Sequence, residues 1–123
     1  MRYACLADAD YRFEDHGPAY LIRGPRTDIG VVHLRPGDDV SNHKHETVEE
    51  SFFIIAGTGS LWINCSEQHQ LSPGDIYQCP PGEMHYFVND GTVPLRLLFA
   101  KAPYAPADTI QVPWLPGSPT PLL

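Results

Sequence analysis

Gly37-Asp38-Asp39-Val40-Ser41-Asn42-His43-Lys44-His45-Glu46-Thr47-Val48-Glu49-Glu50-Ser51-Phe52-Phe53-Ile54-Ile55-Ala56-Gly57 is the stretch from which the rest of the chain can be read. Side chains alternate between faces along a strand, so His43 and His45 point the same way, and Glu50 can reach that face from the next strand. Two imidazoles and a carboxylate then converge. Further along, Gly74-Asp75-Ile76-Tyr77-Gln78-Cys79-Pro80-Pro81-Gly82-Glu83-Met84-His85-Tyr86-Phe87-Val88-Asn89 supplies a third histidine, placed after a Pro-Pro-Gly turn that can aim it. Together His43, His45, Glu50 and His85 offer three neutral nitrogens and one anionic oxygen. That set suits a divalent first-row transition ion better than calcium or magnesium. An octahedral ion held by these side chains keeps positions open for water, dioxygen or a chelating substrate, which marks a catalytic rather than a structural metal.

The surrounding sequence is punctuated throughout. With 13 prolines and 10 glycines in 123 residues, no apolar 3.6-residue period survives three turns, so helix is expected to be scarce. Short runs rich in β-branched and aromatic residues recur instead, each closed by Gly, Pro, Asn or Asp. Strands are predicted at 19–23, 29–34, 50–55, 60–65, 69–71, 76–79, 85–89 and 94–101. Their spacing predicts an all-β sandwich or barrel. Ser51-Phe52-Phe53-Ile54-Ile55 and Leu95-Arg96-Leu97-Leu98-Phe99 are apolar on both faces, so the face turned away from the barrel needs cover of its own. A homodimer is the expected source. Residues 102–123 read as a Pro-rich extended arm, of which Ile110, Val112, Trp114 and Leu115 are expected to dock.

The spacing G-x5-H-x-H-x4-E-x6-G followed by G-x5-P-x-G-x2-H-x3-N resembles the two signature motifs of the cupin superfamily, and every fixed position is met. The resemblance covers Gly37 to Asn89 and assigns the carboxylate ligand to Glu50 rather than Glu49. It implies one small single-domain cupin spanning 1–123, a jelly-roll (double-stranded β-helix) barrel at about 18–101 with the C-terminal arm at 102–123. It also implies one divalent transition metal per chain: iron, manganese, nickel, copper and zinc are all used across the superfamily. Cupins include dioxygenases, isomerases, lyases and non-catalytic binding proteins, so the fold does not select the reaction. The function expected from the residues is a metal-dependent enzyme acting on a small oxygen-donor, chelating organic molecule, of dioxygenase or isomerase/lyase type. The alternative is a metal- or ligand-binding module without turnover.

Composition narrows the partners. Eight Lys plus Arg against 15 Asp plus Glu give a formal net charge of −7, the wrong sign for neutralising a phosphate backbone, so no nucleic-acid partner is expected. No apolar run is long enough for a signal peptide or a membrane span. Cys5, Cys65 and Cys79 form no CxxC pair, which fits reduced thiols in a soluble, cytoplasmic protein without a membrane partner.

Polar candidates for the pocket are Tyr20, Arg23, His33, Tyr77, Gln78, Tyr86, Arg96 and Lys101. Strand parity does not tell which of them face inward, except that Tyr86 alternates with His85 and Phe87 and so turns away from the site. Catalytic residues beyond the ligands stay unassigned. His16, His33 and His69 read as packed or surface histidines, Glu49 as a solvated neighbour and Asn89 as a turn-former. Phe52, Ile54, Phe87, Leu95, Leu97 and Phe99 read as core.

Overall fold

The computed structural model describes residues 1–121, so the last two residues of the predicted arm lie outside the described residues. Ten strands follow one another: β1 (Gly17–Arg23), β2 (Asp28–Leu34), β3 (Asp39–His45), β4 (Glu49–Ala56), β5 (Gly59–Ile63), β6 (Glu67–Leu71), β7 (Ile76–Cys79), β8 (His85–Val88), β9 (Leu95–Ala102) and β10 (Thr109–Gln111). Among the described residues the helical content is one 3-10 turn at Leu6–Asp8, and no helix is long and apolar enough to cross a membrane.

The strands form two antiparallel five-stranded sheets, ordered β1-β2-β9-β4-β7 and β10-β3-β8-β5-β6. This is the all-β jelly roll that the motifs imply. The inner faces enclose one apolar cluster that includes Leu34, Ile54, Leu61, Leu71, Leu95 and Leu97. Phe52, Phe87 and Phe99 belong to it too, as the sequence predicts. Each fully buried side chain of this size contributes about 1.5–3 kcal/mol by leaving water. Gly57, between β4 and β5, has φ +82, and a Cβ there would collide with the Pro94 carbonyl. Only glycine lets the two chain segments approach this closely.

Two strands depart from the predicted set. β3 has no apolar alternation, because Asp39, Ser41, Asn42, His43, Lys44 and His45 are all polar. It also carries a bulge: Val40 pairs with Phe87 and His43 with His85, with the register shifting between them. The extra residue re-phases the strand so that both Val40 and His43 reach the interior cavity. β10 lies within the predicted arm and pairs with β3 through Thr109–His45, Ile110–Lys44 and Gln111–His43, so the barrel sheet extends past residue 101.

Beyond β10 the arm covers the outer face of the second sheet. Val112 and Trp114 are buried in a cluster with Cys65, Met84 and Tyr86, against which Ile110 and Trp62 pack. Leu115 differs from its expectation: it is 56% exposed, because the chain turns there, with the Ser118 N–H donating to the Leu115 carbonyl at 2.9 Å.

Candidate metal centre

The site is assembled at one end of the strands, where the two sheets face each other. The first sheet presents a row of directly opposed residues, Arg23–Asp28–Lys101–Glu50–Cys79, and the second presents Gln111–His43–His85–Ile63. Glu50 therefore meets the three histidines across the barrel. One ligating atom from each of His43, His45, Glu50 and His85 lies within 4.8 Å of all the others, and all four residues are buried.

The contacts orient the rings. The His43 Nδ1 sits 2.7 Å from the Ser41 carbonyl and the His85 Nδ1 sits 3.3 Å from the Glu83 carbonyl. A carbonyl oxygen only accepts, so each Nδ1 carries the hydrogen and each neutral ring presents its Nε2 lone pair to the site. The Nε2 atoms of His45, His85 and His43 lie 3.0, 3.1 and 3.9 Å from the Glu50 Oε1. A lone pair of His85 thus faces a carboxylate oxygen, an arrangement that a cation between them makes favourable. The Nδ1 of His45 is buried without a hydrogen-bond partner among the described residues.

Burial pushes the Glu50 carboxyl upward; imidazole N–H groups turned to it, together with Lys101, outweigh that and hold Glu50 well below the usual carboxylate range, and a cation in the place of those hydrogens would act in the same direction. Burial likewise pushes His85 down, against the pull of Glu50, which favours the neutral ring that a metal requires. The donor set and its protonation fit a single divalent ion.

Local structure fixes these positions. Gly82, at φ +86 in the Pro-Pro-Gly turn, donates its N–H to the His45 carbonyl at 2.7 Å, tying the start of the β8 segment to the β3 histidines. Asn89 closes the other end of β8, its side chain donating to the Leu34 and Val93 carbonyls and accepting from the Gly91 N–H. That is the turn-forming role expected of it.

A cavity of about 100 Å³ opens from His43, Glu50 and His85 toward solvent. It holds several waters or one compact organic molecule. Of the polar candidates, the structure brings Tyr20 and Lys101 onto its wall and leaves His33, Tyr77, Gln78, Tyr86 and Arg96 off it. Arg96 contacts the His33 Nδ1 at 3.3 Å, and Gln78 donates to the Ser51 hydroxyl. Tyr86 donates to Asp39 at 2.7 Å from the outer face, as its parity predicts. Arg23 reaches the site only indirectly, with its guanidinium 4.0 Å from the Tyr20 ring centroid. Glu49 is exposed. His16 contacts Asp15, and His69 lies near Glu67, both away from the site. The cavity also receives Arg12, from the loop before β1, and Ser41, Thr109 and Gln111. Sequence reasoning missed these four: neither the irregular N-terminal loop of Arg12 nor the short β10 of Thr109 and Gln111 carries a periodic signal, and the β3 bulge hides the phase of Ser41.

Residues 30–101 match the cupin domain family. The chain belongs to the cupin family. This cupin is 30% identical over 90 residues to the uncharacterised protein MJ1618 of Methanocaldococcus jannaschii, a match covering 72% of the chain and 71% of that protein. It is 36% identical over 84 residues to a 5-nitrosalicylic acid 1,2-dioxygenase of a Bradyrhizobium species, covering 68% of the chain and 39% of the enzyme. Its fold superposes on a double-stranded β-helix domain protein of Klebsiella pneumoniae with a TM-score of 0.79 at 21% identity, covering 90% of this chain and 96% of that one. The chain spans less than two thirds of the length of most curated relatives it matches.

Proposed function

We propose that His43, His45, Glu50 and His85 bind one divalent first-row transition ion, and that this cupin is an enzyme acting there on a small oxygen-donor organic molecule. One observation carries the reading: four buried residues offer ligating atoms within 4.8 Å of one another, and three of them, His43, Glu50 and His85, line a cavity that reaches solvent. When bound, such an ion supplies a Lewis acid or, with iron, manganese or copper, one-electron chemistry toward dioxygen. The chain supplies the rest. Ser41 and Glu83 carbonyls fix two imidazoles, while Phe52, Phe87, Leu97 and Phe99 exclude water from the guest. The name of the Bradyrhizobium relative supports a dioxygenase-type reaction over isomerisation or elimination.

Metal analysis after reloading with each ion, followed by oxygen consumption on a panel of chelating substrates, tests the reading. One equivalent of metal with substrate-dependent oxygen uptake is expected. Conversion without oxygen uptake would assign the isomerase or lyase class. Tight ligand binding without conversion would make the protein a binding module, and a persistently empty site would overturn the reading altogether.

The assembly is proposed to be a cytoplasmic homodimer. The outer face of the second sheet is covered by the arm, but that of the first leaves Ile76 70% and Phe53 41% exposed, with Phe53 directly opposite Ile76 and Leu98. A contiguous apolar stripe of this kind is where a second copy gains most by docking. Light scattering should give twice the chain mass for the wild type and the single-chain mass for Phe53→Glu; a monomeric wild type would refute the dimer.

A further inference from the structure

The unspent polar groups on the cavity wall are mainly donors. Lys101 Nζ donates to the Tyr20 hydroxyl at 2.7 Å and lies 4.0 Å from the Glu50 Oε2. An ammonium has three N–H donors, so part of its capacity remains free. The Tyr20 oxygen is occupied as that acceptor, leaving its own proton to donate. Arg12 has no side-chain hydrogen bond or ion pair among the described residues. The amide and carboxylate acceptors nearby are committed: the Gln111 Oε1 receives the Ser41 hydroxyl at 2.8 Å, and Glu50 faces the imidazoles. Ser41 keeps its hydroxyl lone pairs as an acceptor, and Thr109 serves either role.

Charge points the same way. The register row alternates Arg23, Asp28, Lys101 and Glu50, and Asp28 is turned to its own neighbours, accepting from the Gly24 N–H at 3.0 Å with the Arg23 Nε at 3.9 Å. On the cavity wall Arg12 and Lys101 stand against Glu50, an excess of one positive charge that a divalent ion raises to three. This is a cationic pocket on a chain of net charge −7. A half-buried site of this sign concentrates anions.

We propose that the guest of the cavity is a small organic carboxylate that also chelates the ion, and that Lys101, supported by Tyr20 and Arg12, selects it over a neutral chelator of the same shape. The inference rests on the metal reading above, and its test separates the two. Metal content is measured first. The loaded protein is then titrated calorimetrically with 2-hydroxybenzoate and with 2-hydroxybenzamide, which share a chelating pair of oxygens and differ by one charge. Wild type is expected to favour the anion by about tenfold or more, the scale of one charge-assisted contact. Lys101→Met should cut that preference about tenfold with metal content unchanged, leaving what the ion itself contributes, and Lys101→Arg should retain it in full. Equal affinities in wild type, or a preference undiminished in Lys101→Met, would overturn the proposal. Where Lys101→Met does not fold, Tyr20→Phe and Arg12→Gln take its place, and a ratio unchanged in both is the overturning result. If no ion loads, the metal reading fails by itself. Benzoate against benzamide on the metal-free protein then decides: a preference for the anion that disappears in Lys101→Met supports selection by Lys101, and its absence refutes it.

Discussion

At one end of the barrel interior Leu34 and Leu95 pair across β2 and β9, backed by Leu61 and Leu71, all fully buried. At the other end of the same strands Asp28, Lys101 and Glu50 pair in register opposite three histidines. Both ends are packed, but they contribute oppositely. Burial of the aliphatic end stabilises the fold directly. Burial of a carboxylate and three imidazoles costs free energy unless they are paired or hold an ion. Stability and chemistry are thus separated along the strands, and each end can be perturbed with the other as control.

The largest expected effect is at the aliphatic end. Leu95→Ala removes a fully buried side chain from the cluster and should lower unfolding stability by about 2–5 kcal/mol in urea, the range for such cavities. Metal stoichiometry of the folded fraction should stay at the wild-type value. A folded Leu95→Ala protein that no longer binds metal would break the separation.

Next is the polar end. An ion that binds only the folded state at a hundred times its dissociation constant should raise stability by about 2.7 kcal/mol. That increment should vanish in His45→Ala, which is expected to fold because the apolar cluster does not depend on the ligand. Equal stability of wild type with and without metal, at saturating ion, would show that the four residues do not hold it.

The candidate ligands were legible in the sequence because metal binding constrains residue type and spacing together: His43, His45, Glu50 and His85 can be named before any strand is placed, and the structure brings them together. The outward turn of Tyr86 followed from parity alone. What parity could not supply was the absolute phase of each strand. Lys101 and Tyr20 stood level with Arg96 and Tyr77 as candidates until the register placed Lys101 between Asp28 and Glu50. The β3 bulge puts Val40 and His43 on one face against simple alternation, and no residue type announces it. Arg12 arrives through an irregular loop, and β10 is three residues long, too short for a period to show.

The smallest expected effect tests how the arm supports the polar end. The Asp108 Oδ2 accepts the Thr47 and Val48 N–H groups at 3.0 and 2.8 Å, fastening the arm to the loop that carries the chain from His45 to Glu50. Burial alone would raise the Asp108 carboxyl, but the N–H groups of Thr47, Val48 and Glu46 outweigh it and hold the group below its ordinary 3.8. Because the folded value is depressed, the ionised form is favoured by folding. Its contribution is present above the unfolded value and disappears as pH falls through the folded one. Asp108→Ala should therefore cost about 1 kcal/mol near neutral pH, the scale of a lost cap. The gap between variant and wild type should narrow as the pH falls below the ordinary carboxylate value. Urea titrations at a series of pH values read both, and a gap that is flat across the acid range would mean that the contact acts by packing rather than by charge. A weaker metal affinity in the variant at neutral pH would then show that the arm steadies the ligands as well as the fold.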